Sequence, residues 1–126
     1  PNIQTDMRAR AGDVLVDLFE VEFRPGEEIK ARLETLDIAT DSIDYIINSH
    51  QHWVHTGGNA LVPNATIIIQ EKEWEAGHVP ELIEANIFNP EDYNHGHQVR
   101  QVDGEFDLFG DGTVVTVPTH GHTPGH

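Results

Sequence analysis

Two histidine-rich segments, His50-Gln51-His52-Trp53-Val54-His55 and His120-Gly121-His122-Thr123-Pro124-Gly125-His126, each follow a run that reads as a β-strand. No other feature limits the fold as strongly, because both segments need a scaffold that ends two strands at one place. Upstream of the first lies Asp44-Tyr45-Ile46-Ile47-Asn48, a short apolar run with polar ends that reads as a buried strand. Alternate side chains at a strand end project the same way, so His50 and His52 can aim at one point. His55 falls where the chain must already turn, and Gly57-Gly58 permit backbone conformations closed to other residues. The second segment follows residues 113–119 in the same manner. A surface tract of histidine would have no reason to sit directly behind a buried strand. His78 and His95-Gly96-His97 lack such a context and read as solvated or supporting loop.

Composition sharpens the chemistry. The chain has nine histidines and no cysteine, so imidazole and carboxylate are the available ligands for a borderline metal such as zinc. The same absence removes disulfides and a cysteine nucleophile. Twenty-two acids against seven bases give a net charge of −15, a surface that repels phosphate backbones, and nucleic-acid binding is not expected. No apolar run approaches the ~20 residues that span a bilayer, and no signal peptide opens the sequence, so a soluble cytoplasmic protein is expected. At 126 residues the expectation is a single domain over 1–126. The first residue is Pro1 rather than methionine, which leaves room for a longer parent.

The remaining elements follow from period and punctuation. Residues 1–12 show no clear period, and Val14, Leu15, Leu18 and Phe19 share one helical face. Pro25 opens a second helix, with Glu27 and Glu28 in its first turn and Ile29, Leu33 and Leu36 on one face. Residues 65–70, with three consecutive isoleucines, read as a buried strand, and 71–76 as a helix stopped by Gly77. A short helix is expected over 80–85. Strands are expected over 98–102, 105–109 and 113–119, with an Asp103-Gly104 hairpin turn and a Gly110-Asp111-Gly112 turn between them.

These residues resemble the metallo-β-lactamase superfamily, which carries H-x-H-x-D-H after a strand. Here His50-Gln51-His52-Trp53-Val54-His55 stands in that place, followed by Thr56-Gly57-Gly58-Asn59, and Gly121-His122-Thr123-Pro124-Gly125-His126 is similar to the family's next metal motif. The Ile67-Ile68-Ile69-Gln70-Glu71-Lys72-Glu73 stretch and the Phe109-Gly110-Asp111-Gly112 turn resemble the N-acyl homoserine lactonase branch in particular. The resemblance implies an α+β fold, a metallo-β-lactamase-like αββα sandwich present as roughly its N-terminal half. It implies a zinc site from His50, His52 and His122, with His55 as a single ligand of a second, incomplete site. Val54 occupies the position of the family's aspartate and can neither ligate nor carry a proton, so no catalytic residue is assigned. The implied reaction is attack of metal-bound hydroxide on a small-molecule lactone or ester, in the service of quorum quenching. A catalytically impaired metal-binding relative or fragment, or a glyoxalase II-type thioesterase, would carry the same motifs. Half of a two-sheet fold would leave an apolar face uncovered, so self-association is expected.

Overall fold

The computed structural model describes residues 7–18 and 24–126. At its centre is a strand that reads as an unbroken β-branched run, β2 (Thr66–Gln70), with Ile67, Ile68 and Ile69 all buried. Both its edges are occupied. β1 (Tyr45–Ile47) pairs parallel on one side, with Ile46 opposite Ile67. On the other, β3 (Val99–Val102) pairs parallel, with Ile69 opposite Gln101. Parallel neighbours need long crossovers, and the chain supplies helices for them. Between β1 and β2 lie α3 (Trp53–Thr56) and a 3₁₀ turn over Asn59–Leu61. Between β2 and β3 lie α4 (Glu71–Ala76), α5 (Pro80–Asn86) and a 3₁₀ turn over Pro90–Asp92. Ala76, Phe88 and Tyr93 form a small core beneath these helices, joined by Trp74 and Ile83.

A separate antiparallel hairpin, β4 (Phe106–Asp107) with β5 (Val115–Thr116), completes the strands. Its turn is organised by Asp107, whose carboxylate accepts from the backbone N–H groups of Phe109, Gly110 and Gly112. Asp103-Gly104 is therefore not a hairpin turn, contrary to its sequence signature. The pair carries the chain from one sheet to the other, where the Gln70 side chain holds Gly104 by both its N–H (3.1 Å) and its carbonyl (2.7 Å). A side chain at the end of β2 has taken the role that a hairpin partner would have had.

Three further expectations are corrected. β1 is an edge strand among the described residues, and Tyr45 and Ile47 are exposed rather than buried. The helix expected to begin at Pro25 begins only at Ile29, as α2 (Ile29–Glu34), because Arg24 to Glu27 close a turn through Glu27 N–H to Arg24 O. Leu36 lies beyond its end and is exposed. Finally, helix α1 (Met7–Leu18) includes part of the stretch that showed no period, broken at Gly12 (φ 79°), and leaves Val14 and Leu18 exposed. Phe19 lies outside the described residues. No helix among the described residues is long and apolar enough to cross a membrane.

Candidate metal centre

The carboxyl ends of β1 and β2 open on the same side of the sheet, the usual place for a ligand in parallel α/β architecture. After β1 the chain bends at Ser49, and His52, in extended conformation, is the N-cap of α3 (φ −64°, ψ 143°). Past that bend His50 and His52 bring their rings together, and Val54 and His55 on α3 are exposed to solvent. His122 arrives from the loop after β5, seventy residues further along the chain.

The three rings form a nearly regular triangle. Ring centroids of His50 and His52 are 4.8 Å apart, those of His50 and His122 4.7 Å, and those of His52 and His122 4.9 Å. One ring nitrogen from each lies within 4.8 Å of the others, close enough for the three to hold a metal ion. The outward nitrogens of two of the rings are tied back. Ser49 Oγ holds His50 Nδ1 at 3.0 Å, and the backbone carbonyl of Asn86 accepts from His52 Nε2 at 2.9 Å. The latter bond places the His52 proton on Nε2 and leaves Nδ1 as a lone pair, 3.1 Å from His122 Nε2. Around a tetrahedral zinc with bonds of about 2.0–2.1 Å, two donor nitrogens stand ~3.3 Å apart, so this spacing fits two ligands of one ion. His50 Nε2 is buried with no hydrogen-bond partner among the described residues, an orphaned ring nitrogen at a place where a cation would satisfy it.

Electrostatics support the same use. Burial, followed by the neighbouring rings of His55, His52, His122 and His126, lowers the pKa of His50 to about 3. His55 is lowered too, first by desolvation and then by His52, His126 and His122. An imidazole that resists protons, as His50 does, offers a neutral nitrogen to a metal.

His55 lies beside this triangle, its ring centroid 4.0 Å from that of His50, yet it is exposed and outside the convergent set. Val54 is 44% exposed and contributes no ligand atom. His120 is exposed, and His97 is turned away to the carbonyl of Val62. Several supporting residues were not singled out from sequence. His126 sits 4.9 Å from His50 and is bound to the Thr119 hydroxyl. Phe88 packs on His52 at 5.5 Å. Gln51 and Glu73 are fully buried behind the two loops. For Gln51 the signal was available, since the residue between two convergent histidines must point the opposite way, into the fold.

A mixed helix and strand scaffold with convergent histidines at its strand ends defines a class, and residues 8–126 match it: the chain belongs to the metallo-β-lactamase superfamily. Among its relatives, the N-acyl homoserine lactonase AttM of Azorhizobium caulinodans is 33% identical over 129 residues, covering 98% of this chain and 49% of the relative. An N-acyl homoserine lactonase of Bacillus thuringiensis is 32% identical over 95 residues, 75% of this chain and 35% of the relative. The chain thus spans about half the length of the curated relatives it matches. Among solved structures, a B. thuringiensis AiiA mutant with N-decanoyl-L-homoserine bound at the active site superimposes with a TM-score of 0.69. It shares 30% identity, with 83% of this chain and 39% of that chain covered. An N-acyl homoserine lactone hydrolase with N-hexanoyl-L-homoserine at its catalytic metal centre gives the same TM-score at 28% identity, with the same coverage. The fold family read from the two histidine motifs is thereby shown, and within it the chain is similar to N-acyl homoserine lactonases.

Proposed function

We propose that this chain carries the three-histidine half of a zinc-dependent lactone hydrolase, with His50, His52 and His122 as the ligands of one zinc ion. The observation that carries the reading is the convergence of three ring nitrogens from two distant loops, one of them buried and unsatisfied. The lactonase relatives and the structures with acyl-homoserine bound support a small lactone as the substrate class.

Zinc bound there supplies Lewis-acid activation of water and of a carbonyl oxygen near neutral pH. The chain's own residues prepare that chemistry. Ser49 and the Asn86 carbonyl fix two of the imidazoles in orientation, and the second also fixes a tautomer. Phe88 walls His52 with an apolar face. The surplus of acid over base across the chain attracts a divalent cation at long range. With Val54 in place of the family's aspartate, His55 is the one second-site ligand the motif retains, so a single-metal hydrolase is proposed.

The test is ring opening of an N-acyl homoserine lactone by the purified chain, loaded with zinc or stripped by a chelator, beside His122→Ala. Zinc-dependent turnover that falls at least about a hundredfold in H122A is expected. Turnover indifferent to the chelator would refute the mechanism. Tight zinc binding with no turnover would leave a metal-binding relative without the activity.

A further inference from the structure

Glu73 is fully buried, and each hydrogen bond its carboxylate makes ends on one of the two histidine loops. Its Oε1 accepts from the backbone N–H of Gln51 at 2.9 Å, the peptide between His50 and His52. Its Oε2 accepts from the Thr123 hydroxyl at 2.8 Å, adjacent to His122, and from the N–H of Gly125 at 2.9 Å. One carboxylate therefore spans loops that are 22 residues before it and 50 to 52 residues after it in sequence. The fit on the second side is close. A Cβ on Gly125 would stand 2.6 Å from Glu73 Cβ and 2.7 Å from its Cα, so the loop rests directly on the first turn of α4. Burying a carboxylate is costly unless donors surround it, and here the donors are two backbone N–H groups and one hydroxyl of the loops that carry the histidines.

We propose that Glu73 is the positioning residue that sets the spacing of His122 from His50 and His52, and with it the affinity and coordination geometry of the bound metal. This rests on the metal reading above. None of the hydrogen bonds of the Glu73 carboxylate among the described residues ends on a histidine ring. Glu73 acts by fixing the two backbones, so its loss should alter where His122 stands rather than which groups bind.

Glu73→Gln separates these roles. The amide keeps the size of the side chain, and its oxygen can still accept from Gln51 N–H. Its NH₂ group then faces Thr123 and Gly125. The hydroxyl can rotate to accept, whereas the Gly125 N–H is left opposite a second donor. Zinc affinity, measured by competition against a chelating dye, is expected to fall about tenfold or more in E73Q, the range typical of groups that orient metal ligands. With cobalt(II) as probe, the visible ligand-field bands should weaken and shift, reporting a distorted or expanded coordination shell in a protein whose far-UV dichroism is unchanged. A parent chain that takes up neither metal overturns both this inference and the metal reading. A parent that binds, with E73Q matching its affinity within twofold and its cobalt spectrum, overturns the inference alone. Should E73Q not fold, Thr123→Val carries the test, since it removes one hydrogen bond beside His122 and no charge. A several-fold loss of zinc affinity is then expected, and unchanged affinity would overturn the proposal.

Discussion

His50 is an imidazole placed where a proton is unwelcome. Its pKa lies at about 3 in the folded protein against an ordinary value of 6.5, first because it is buried and then because four other imidazoles surround it. Below pH 6.5 the unfolded chain takes up a proton that the folded chain refuses, so the stability tied to this residue is full above 6.5 and is lost progressively as pH falls towards 3. The metal-free protein should therefore melt at lower temperature at pH 5.5 than at pH 7, and His50→Gln should show a shallower fall over that interval. Equal slopes for the two proteins would show that His50 is not protected from protonation. At this scale the convergence of His50, His52 and His122 was legible in the sequence, because each lies just behind a run that reads as a strand. Their supports were not. Ser49 and Asn86 are ordinary loop residues until the fold sets one against His50 and the other's carbonyl against His52.

Between β2 and α4 the sequence and the structure agree closely, and the reason is local. Three β-branched residues in a row fit a strand covered on both faces, and the polar Gln70 that ends it is the N-cap of the helix. Gly77 was expected as a helix stop, yet its φ of −72° is open to any residue. What requires glycine there is space, since a Cβ would fall within 2.6 Å of Gln51 Cδ and nearer still to its amide oxygen. Gly77→Ala should press on Gln51 between the two ligands and lower stability by about 1–3 kcal/mol, the usual cost of overpacking. An unchanged urea midpoint would mean that Gln51 has room to move. The role of Glu73 was hidden in α4 by its neighbours. In Glu71-Lys72-Glu73-Trp74-Glu75-Ala76 it looks like one more exposed acid, and only its three-residue separation from Ala76 places it on the inward face. Asp103-Gly104 failed as a hairpin for the opposite reason, because a tertiary contact from Gln70 outweighed a sound local signal.

Over the whole molecule, the centre is assembled from two loops that share no local contact in sequence and meet only because the strands bring them to one end. The order of the motifs was enough to foresee that meeting, since each strand-and-loop unit could be read by itself. The strand pairing behind it was not, because β1 to β3 are parallel and joined by crossovers whose course depends on helix packing. Exposed Tyr45 and Phe109, edge to face at 6.2 Å, with Ile47, Val115 and Val117 also exposed, give the molecule apolar surface despite its −15 charge. The account depends on one proposal, that His50, His52 and His122 share a single ion. Zinc X-ray absorption on the purified chain, with elemental analysis of the same sample and of His122→Ala, measures it most directly. The account predicts one zinc per chain, three imidazole nitrogens and one further light atom at about 2.0–2.1 Å, and loss of that zinc in the variant. A chain that retains no zinc, or one whose zinc is unchanged in content and environment by His122→Ala, would contradict it.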